Sequence, residues 1–204
     1  MRLCVPRLNS TLESDMKVEV TVPNGKSGDW EVSDFDVSES DARMFNMRAM
    51  FQPGSRTITP GKYKKLTRRG EIIMSNTPAE IRDHLSFIWT AKRGGDILIN
   101  GLGLGVALSA ILESKDVKSV TIIEKSPDVI SLVAEHYLKD PRVTIVEDNA
   151  FDYKPPKSKR YAAVWHDIWD YICGDNLPEM TKLHRKYGKR TDWQGSWGRE
   201  LCKR

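Results

Sequence analysis

Between Asp96 and His166 short apolar runs alternate with stretches of helical spacing, and this alternation leaves few folds open. Asp96 to Asn100 reads as a strand, Val106 to Glu113 as a helix, and Ser119 to Glu124 as a second strand rich in valine and isoleucine. Ser126-Pro127-Asp128 opens a helix running through Leu138, Arg142 to Glu147 makes a third strand, and Tyr161 to His166 a fourth. Strands separated by single helices cross over to lie parallel, with right-handed connections. The expected fold class is therefore α/β, a Rossmann-like parallel sheet. Ligands of such sheets sit beyond the carboxyl ends of the strands, where the strand order reverses.

The flanks read differently. Residues 1–75 form a β-rich N-terminal segment, because Lys17 to Val22 alternates polar and apolar and turn signals follow at Pro23-Asn24-Gly25, Pro53-Gly54 and Pro60-Gly61. Residues 76–204 form the Rossmann-like domain with a basic C-terminal tail. It opens on a helix: Thr77 can cap, Pro78 suits the first helical position, Glu80 completes a capping box, and Ile81, Leu85 and Ile88 share one face. Only 34 residues follow Asp170. They allow one helix, Leu177 to Tyr187, and at most one strand, within Thr191 to Trp197, so the sheet is expected to be C-terminally shortened. Either the N-terminal strands or a second subunit, in a homo-oligomer, would then cover its edge.

Composition narrows the setting. The chain is 39% hydrophobic and 29% charged, with no apolar run near the ~20 residues that cross a bilayer. Met1 to Asn9 lacks the apolar stretch of a secretory signal, which points to a cytoplasmic protein without a membrane partner. Cys4, Cys173 and Cys202 are odd in number and widely spaced, as expected of free thiols. A net charge of +4 is mild, but residues 181–204 concentrate Lys182, Arg185, Lys186, Lys189 and Arg190, with Trp193 and Trp197 nearby. Two readings stay open: a polyanion surface with stacking aromatics, or a solvated helix whose tryptophans cover core.

The chemistry concentrates where the first strand meets its helix, at Asn100-Gly101-Leu102-Gly103-Leu104-Gly105. A glycine turn alone is a weak signal, since tight strand-to-helix turns use glycine for steric reasons. Its context strengthens it. The second strand ends at Glu124, 23 residues after Gly101, where a carboxylate can accept both hydroxyl hydrogens of a ribose. The alternative is a carboxylate that favours the start of the next helix. A dinucleotide fingerprint wants glycine or alanine at position 106, which is Val106, so the tighter G-x-G-x-G favours another ligand.

This stretch resembles motif I of class I S-adenosylmethionine-dependent methyltransferases, with Glu124 in their acidic ribose-binding position and Lys125 beside it. Asp148-Asn149-Ala150 looks like their adenine-binding Gly-Asp-Ala segment, and Asn100 stands where these enzymes often place an acid near the cofactor's amino group. Within the superfamily the chain is most similar to the spermidine-synthase-like branch. The similarity runs from about residue 70 to 175, through Val120 to Ile130, Pro141-Arg142-Val143 and Tyr161 to Asp170. It implies that Asp167 is a base or amine-orienting carboxylate and that Asp170 helps hold the acceptor. Ala162 and Tyr171 depart from that branch's pattern, as does the glycine loop, which lacks its acidic form. The cofactor implied is S-adenosylmethionine, or its decarboxylated relative. Three functions follow: a methyltransferase acting on a small-molecule or nucleic-acid acceptor, an aminopropyltransferase, or a non-catalytic binding module. A metal site is disfavoured, because His166 and Asp167, consecutive on a strand, point to opposite faces. His136 reads as a capping or surface residue, and Trp165 and Trp169 as core or pocket wall.

Overall fold

The computed structural model of the protein describes residues 17–51 and 56–203. Five strands build the parallel sheet: β5 (Gly95–Asn100), β6 (Val117–Glu124), β7 (Val143–Glu147), β8 (Tyr161–His166) and β9 (Thr191–Ser196). Their order is β7-β6-β5-β8-β9, all parallel, so β5 is central and the order reverses between β5 and β8. The helices between them are α3 (Val106–Leu112), α4 (Pro127–Tyr137) and α5 (Asn176–Tyr187), with α6 (Arg199–Cys202) after β9. The fold is thus α/β with a Rossmann-like sheet, and the single strand expected in the tail is β9. Among the described residues no helix is long and apolar enough to cross a membrane.

Strand parity sets the core. On β5, Ile97 and Ile99 join the larger cluster with Ile122, Val133 and Trp165, whereas Leu98 joins Ile123, Val164, Leu183 and Tyr187 on the opposite face. The first face receives α2 (Pro78–Ala91), which buries Ile81, Leu85, Phe87 and Ile88. The expected capping box does not form: Thr77 makes no side-chain cap bond. Its hydroxyl lies 3.0 Å from that of Ser75, and the Glu80 carboxylate turns to Arg56, 3.7 Å away. Trp193 and Trp197 are structural too, Trp193 beside the rings of Phe87 and Trp165 and Trp197 buried.

The N-terminal segment makes a separate antiparallel sheet, β1 (Gly25–Ser27), β2 (Trp30–Val37), β3 (Gly61–Arg68) and β4 (Glu71–Ser75) in sequential order, with α1 (Glu39–Ala49) between β2 and β3. Lys17 to Val22 pairs with no strand, yet Val18, Val20 and Val22 are buried and their neighbours exposed. Its alternation therefore reports packing rather than a ladder. The segment does not extend the parallel sheet. Instead it rests on α4, where the Ser27 hydroxyl donates to Asp128 at 2.7 Å, and sends Val32 and Leu66 into the common core. Pro53-Gly54 and Cys4 lie outside the described residues, while Cys173 and Cys202 are free thiols.

Phe87 is 0% exposed and stacks on Trp165 with ring centroids 5.4 Å apart, at the seam between α2 and β8. Phe87→Ala should cost about 3–5 kcal/mol of stability, read from guanidinium unfolding; a loss below about 1 kcal/mol would mean the seam is not packed as described.

Candidate ligand site at the carboxyl ends of the strands

A crevice of 340 Å³ opens above the carboxyl ends of β5, β6, β7 and β8. Its floor is the turn after β5, with Gly101 and Gly103, and the ends of β6 and β7, with Glu124, Lys125, Asp148, Asn149 and Ala150. Asp167 and Asp170, beyond β8, close one side. Nine of the residues singled out in the sequence therefore line one cavity. Gly105 and Asn100 do not.

Glu124 is the best-held of these groups. Its carboxylate is 8% exposed and accepts from two backbone amides, Leu102 N–H at 2.8 Å and Ser126 N–H at 2.8 Å. Each oxygen retains acceptor capacity for a further hydroxyl. Asn149 Oδ1 accepts from Phe151 N–H at 2.9 Å, which shapes the loop after β7. Asn100 has the parity of Leu98, so its side chain enters the opposite core, and its amide nitrogen lies 2.7 Å from His166 Nδ1. Asn100 therefore does not line the crevice. His166 is fully buried, and burial, followed by the neighbouring His184, pushes its pKa down to about 3.

Asp167 sits among acids. Burial, then Glu80, Asp83 and Glu124, raises its pKa well above the ordinary carboxylate value. Glu80 is pushed up to about 7, chiefly by burial, against the pull of Arg56. Arg56 spans Glu80 and Asp83, with a nitrogen 2.6 Å from Asp83. His84 Nε2 lies 3.8 Å from Asp167, but burial and Arg56 push the His84 pKa down to about 4. That contact is between a neutral ring and a carboxyl group, not an ion pair. Asp170 is more exposed and lies 3.7 Å from Arg68.

Several wall residues carried no functional signal in the sequence. The antiparallel sheet contributes Trp30, Leu66, Arg68 and Met74, α2 contributes Glu80, and α5 contributes Glu179, which accepts from Trp169 Nε1 at 2.8 Å. Tertiary contacts between elements far apart in sequence bring them here. In all, six carboxylates (Glu80, Glu124, Asp148, Asp167, Asp170 and Glu179) face two cations, Arg68 and Lys125.

No protein-family model matches the chain, and no curated protein does. Similar solved structures include the CcbJ methyltransferase from Streptomyces caelestis, at 18% identity and a TM-score of 0.41 over 54% of this chain and 44% of that one. Another is the N-methyltransferase NodS from Bradyrhizobium japonicum WM9, at 10% identity and a TM-score of 0.43 over 54% of this chain and 60% of that one. The chain spans less than two thirds of either, and the likeness is one of fold.

Glu80 offers a direct test of the buried acid cluster. Its folded pKa of about 7 exceeds the unfolded value of 4.5, so its contribution is fully present below pH 4.5 and lost as pH rises through 7. Relative to Glu80→Gln, the wild type should lose on the order of 3 kcal/mol between pH 4.5 and pH 7.5, followed by denaturant unfolding at several pH values. A difference that stays flat with pH would show that Glu80 ionises as a solvated acid.

Proposed function

We propose that the protein is an S-adenosylmethionine-dependent methyltransferase whose cofactor occupies this crevice. The observation that carries the reading is the charge of the walls. Six acidic side chains against two cations, at the point where the strand order reverses, leave an excess of negative charge even with Glu80 and Asp167 protonated, which favours a ligand with positive charge and opposes one bearing a pyrophosphate. Among nucleoside ligands a sulfonium fits that field and a dinucleotide does not. Bound there, the cofactor supplies an electrophilic methyl group on sulfur.

The chain's own residues do the rest. Glu124, fixed by two amides, presents its remaining lone pairs to ribose hydroxyls, while Asp148, Asn149 and Ala150 border the adenine end and Phe151 supplies a ring face. Asp167, poised by burial to hold a proton beyond the usual carboxylate range, can orient an acceptor and take its proton. Aminopropyl transfer is the second reading. It is favoured by Glu80, Asp167, Asp170 and Glu179, carboxylates beyond those that a ribose and an adenine need and suited to hold an amine.

Calorimetric titration with S-adenosylmethionine, its decarboxylated form and NAD separates these ligands. Binding of either sulfonium without binding of NAD is expected, and Glu124→Gln should weaken it about tenfold, or 1.4 kcal/mol. NAD binding in their place would overturn the reading. Asp167→Asn should leave cofactor affinity nearly unchanged and lower turnover of an accepted substrate about a hundredfold; unaltered turnover would make the carboxylate structural.

A further inference from the structure

The loop after β7 and the end of α5 form one basic ridge that the crevice chemistry leaves unused. Residues 150–160 and 178–192 hold nine lysines and arginines against three acids, a net of +6 in a chain whose total is +4, so the remainder of the chain is net acidic. The two segments are packed together. Lys186 Nζ donates to the carbonyls of Ala150 and Phe151, both at 2.9 Å, and the Lys182 ammonium lies 5.0 Å from the centre of the Phe151 ring. Arg190 reaches the carbonyls of Pro156 and Lys157 at 2.9 and 3.1 Å, and Arg160 that of Lys189 at 3.0 Å.

Some of these cations are spent internally: Lys159 pairs with Asp96 and Arg160 with Asp192. Of the other seven, Arg190 is half-buried with its guanidinium on the loop carbonyls, which leaves six. Lys154, Lys157, Lys182, Arg185, Lys186 and Lys189 make no ion pair among the described residues, and all but Lys186 are exposed. Lys186 is held below the ordinary lysine range by burial first, with Asp148 and Asp152 opposing and Lys182 and Lys154 adding to the shift. Like charges crowded in this way are relieved by an external anion.

We propose that this ridge binds single-stranded nucleic acid through its phosphates and delivers an unpaired base to the crevice. Ala150 and Phe151, which anchor Lys186, also line that crevice, so a strand lying along the ridge passes its mouth. With a volume of 340 Å³ and the antiparallel sheet's Trp30 and Met74 in its wall, the crevice is too small to admit a duplex. Trp169, beside Asp170 in the loop after β8, offers that base a ring face. A membrane surface fits poorly: no large apolar side chain of the ridge is exposed among the described residues, and Met180, Leu183 and Tyr187, the apolar face of α5, are buried. Delivery of a base for modification rests on the transferase reading; the binding surface does not.

The test is fluorescence anisotropy of the full chain with a labelled 20-nucleotide single-stranded RNA and its DNA counterpart across a salt series. Each phosphate neutralised contributes about −0.7 to the slope of log affinity against log salt, so six cations predict a slope of about −4. The triple variant Lys182→Gln, Arg185→Gln, Lys189→Gln should lose at least about tenfold in affinity and bring the slope to about −2. Lys154→Gln with Lys157→Gln, on the loop, provides a second and independent removal. Arg43→Gln with Arg48→Gln, on exposed faces of α1, should change neither quantity beyond about one charge's worth. The proposal is overturned if the wild type does not bind either strand, if ridge variants with unchanged thermal melts bind as tightly as the wild type, or if the α1 control loses as much. Binding to phosphatidylserine vesicles without binding to either strand would equally overturn it. Calorimetry with S-adenosylmethionine on the same samples keeps the two readings apart: cofactor binding without strand binding sinks only the ridge, and the converse sinks only the transferase.

Discussion

The organisation of the crevice depends on one carboxylate. Glu124 ends β6 and accepts from Leu102 in the turn after β5 and from Ser126 at the head of α4, whose own hydroxyl caps that helix through Val129 N–H. Its backbone carbonyl accepts from Asp148 N–H, which fixes where the chain leaves β7. Three loops from three adjacent strands are thus tied at a single residue. Burying a carboxylate costs several kcal/mol unless hydrogen bonds replace water, and here two amides aligned by their own strands do so. Removing the charge would loosen the turn after β5 and the entry to α4 together, while the β7 exit keeps its backbone bond.

The antiparallel sheet gives this arrangement its electrostatic character. An open α/β sheet with acids at its strand ends would leave them solvated and ordinarily ionised. With Trp30, Leu66 and Met74 standing over the crevice and α2 packed behind it, Glu80, Asp83 and Asp167 share a poorly solvated region with one arginine, Arg56. Like charges that close in low dielectric cannot all ionise at neutral pH, so protons are retained. A group that keeps its proton further up the pH scale is also a stronger base once it loses it, which is what an acceptor that parts with its proton reluctantly needs.

Much of this was legible from residue order. The period of the apolar runs gave β5 to β8 within one or two residues of their ends, and chain length after Asp170 left room for one more strand, which is β9. Other features were not, for specific reasons. Helix α1 buries only Ala42, so it has no apolar stripe to detect. Its one signal was the cap, Ser38 accepting from Asp41 N–H. Lys17 to Val22 has strand-like alternation because every second valine enters the core, with no partner strand to pair it. Asn100 was placed in the crevice by analogy, whereas parity sends every second side chain of β5 to the other face. Parity was readable; which face served the ligand was not. Arg68, Met74 and Glu179 reach the site through contacts between elements far apart in sequence, which no local pattern encodes.

The glycine motif itself has a different weight from the one a sequence gives it. A β-carbon on Gly101 would overlap the carbonyl oxygen of Asp167, and one on Gly105 would enter the ring of Tyr137, whose hydroxyl donates to the carbonyl of Leu104 at 2.8 Å. Both positions also hold positive φ, 98° and 72°, which side chains resist. The first and last glycines are thus demanded by the protein's own chain, before any ligand arrives. Gly103 holds positive φ as well, 50°, although its neighbour is a flexible side chain, Met74, whose sulfur accepts from Leu104 N–H at 3.3 Å. All three glycines of the motif would therefore be favoured in a protein that bound nothing. What such a protein would not need is an excess of carboxylates converging on the same crevice, since bringing like charges together costs stability without aiding the fold. The case for a positively charged ligand therefore lies in the acids around the turn more than in the turn.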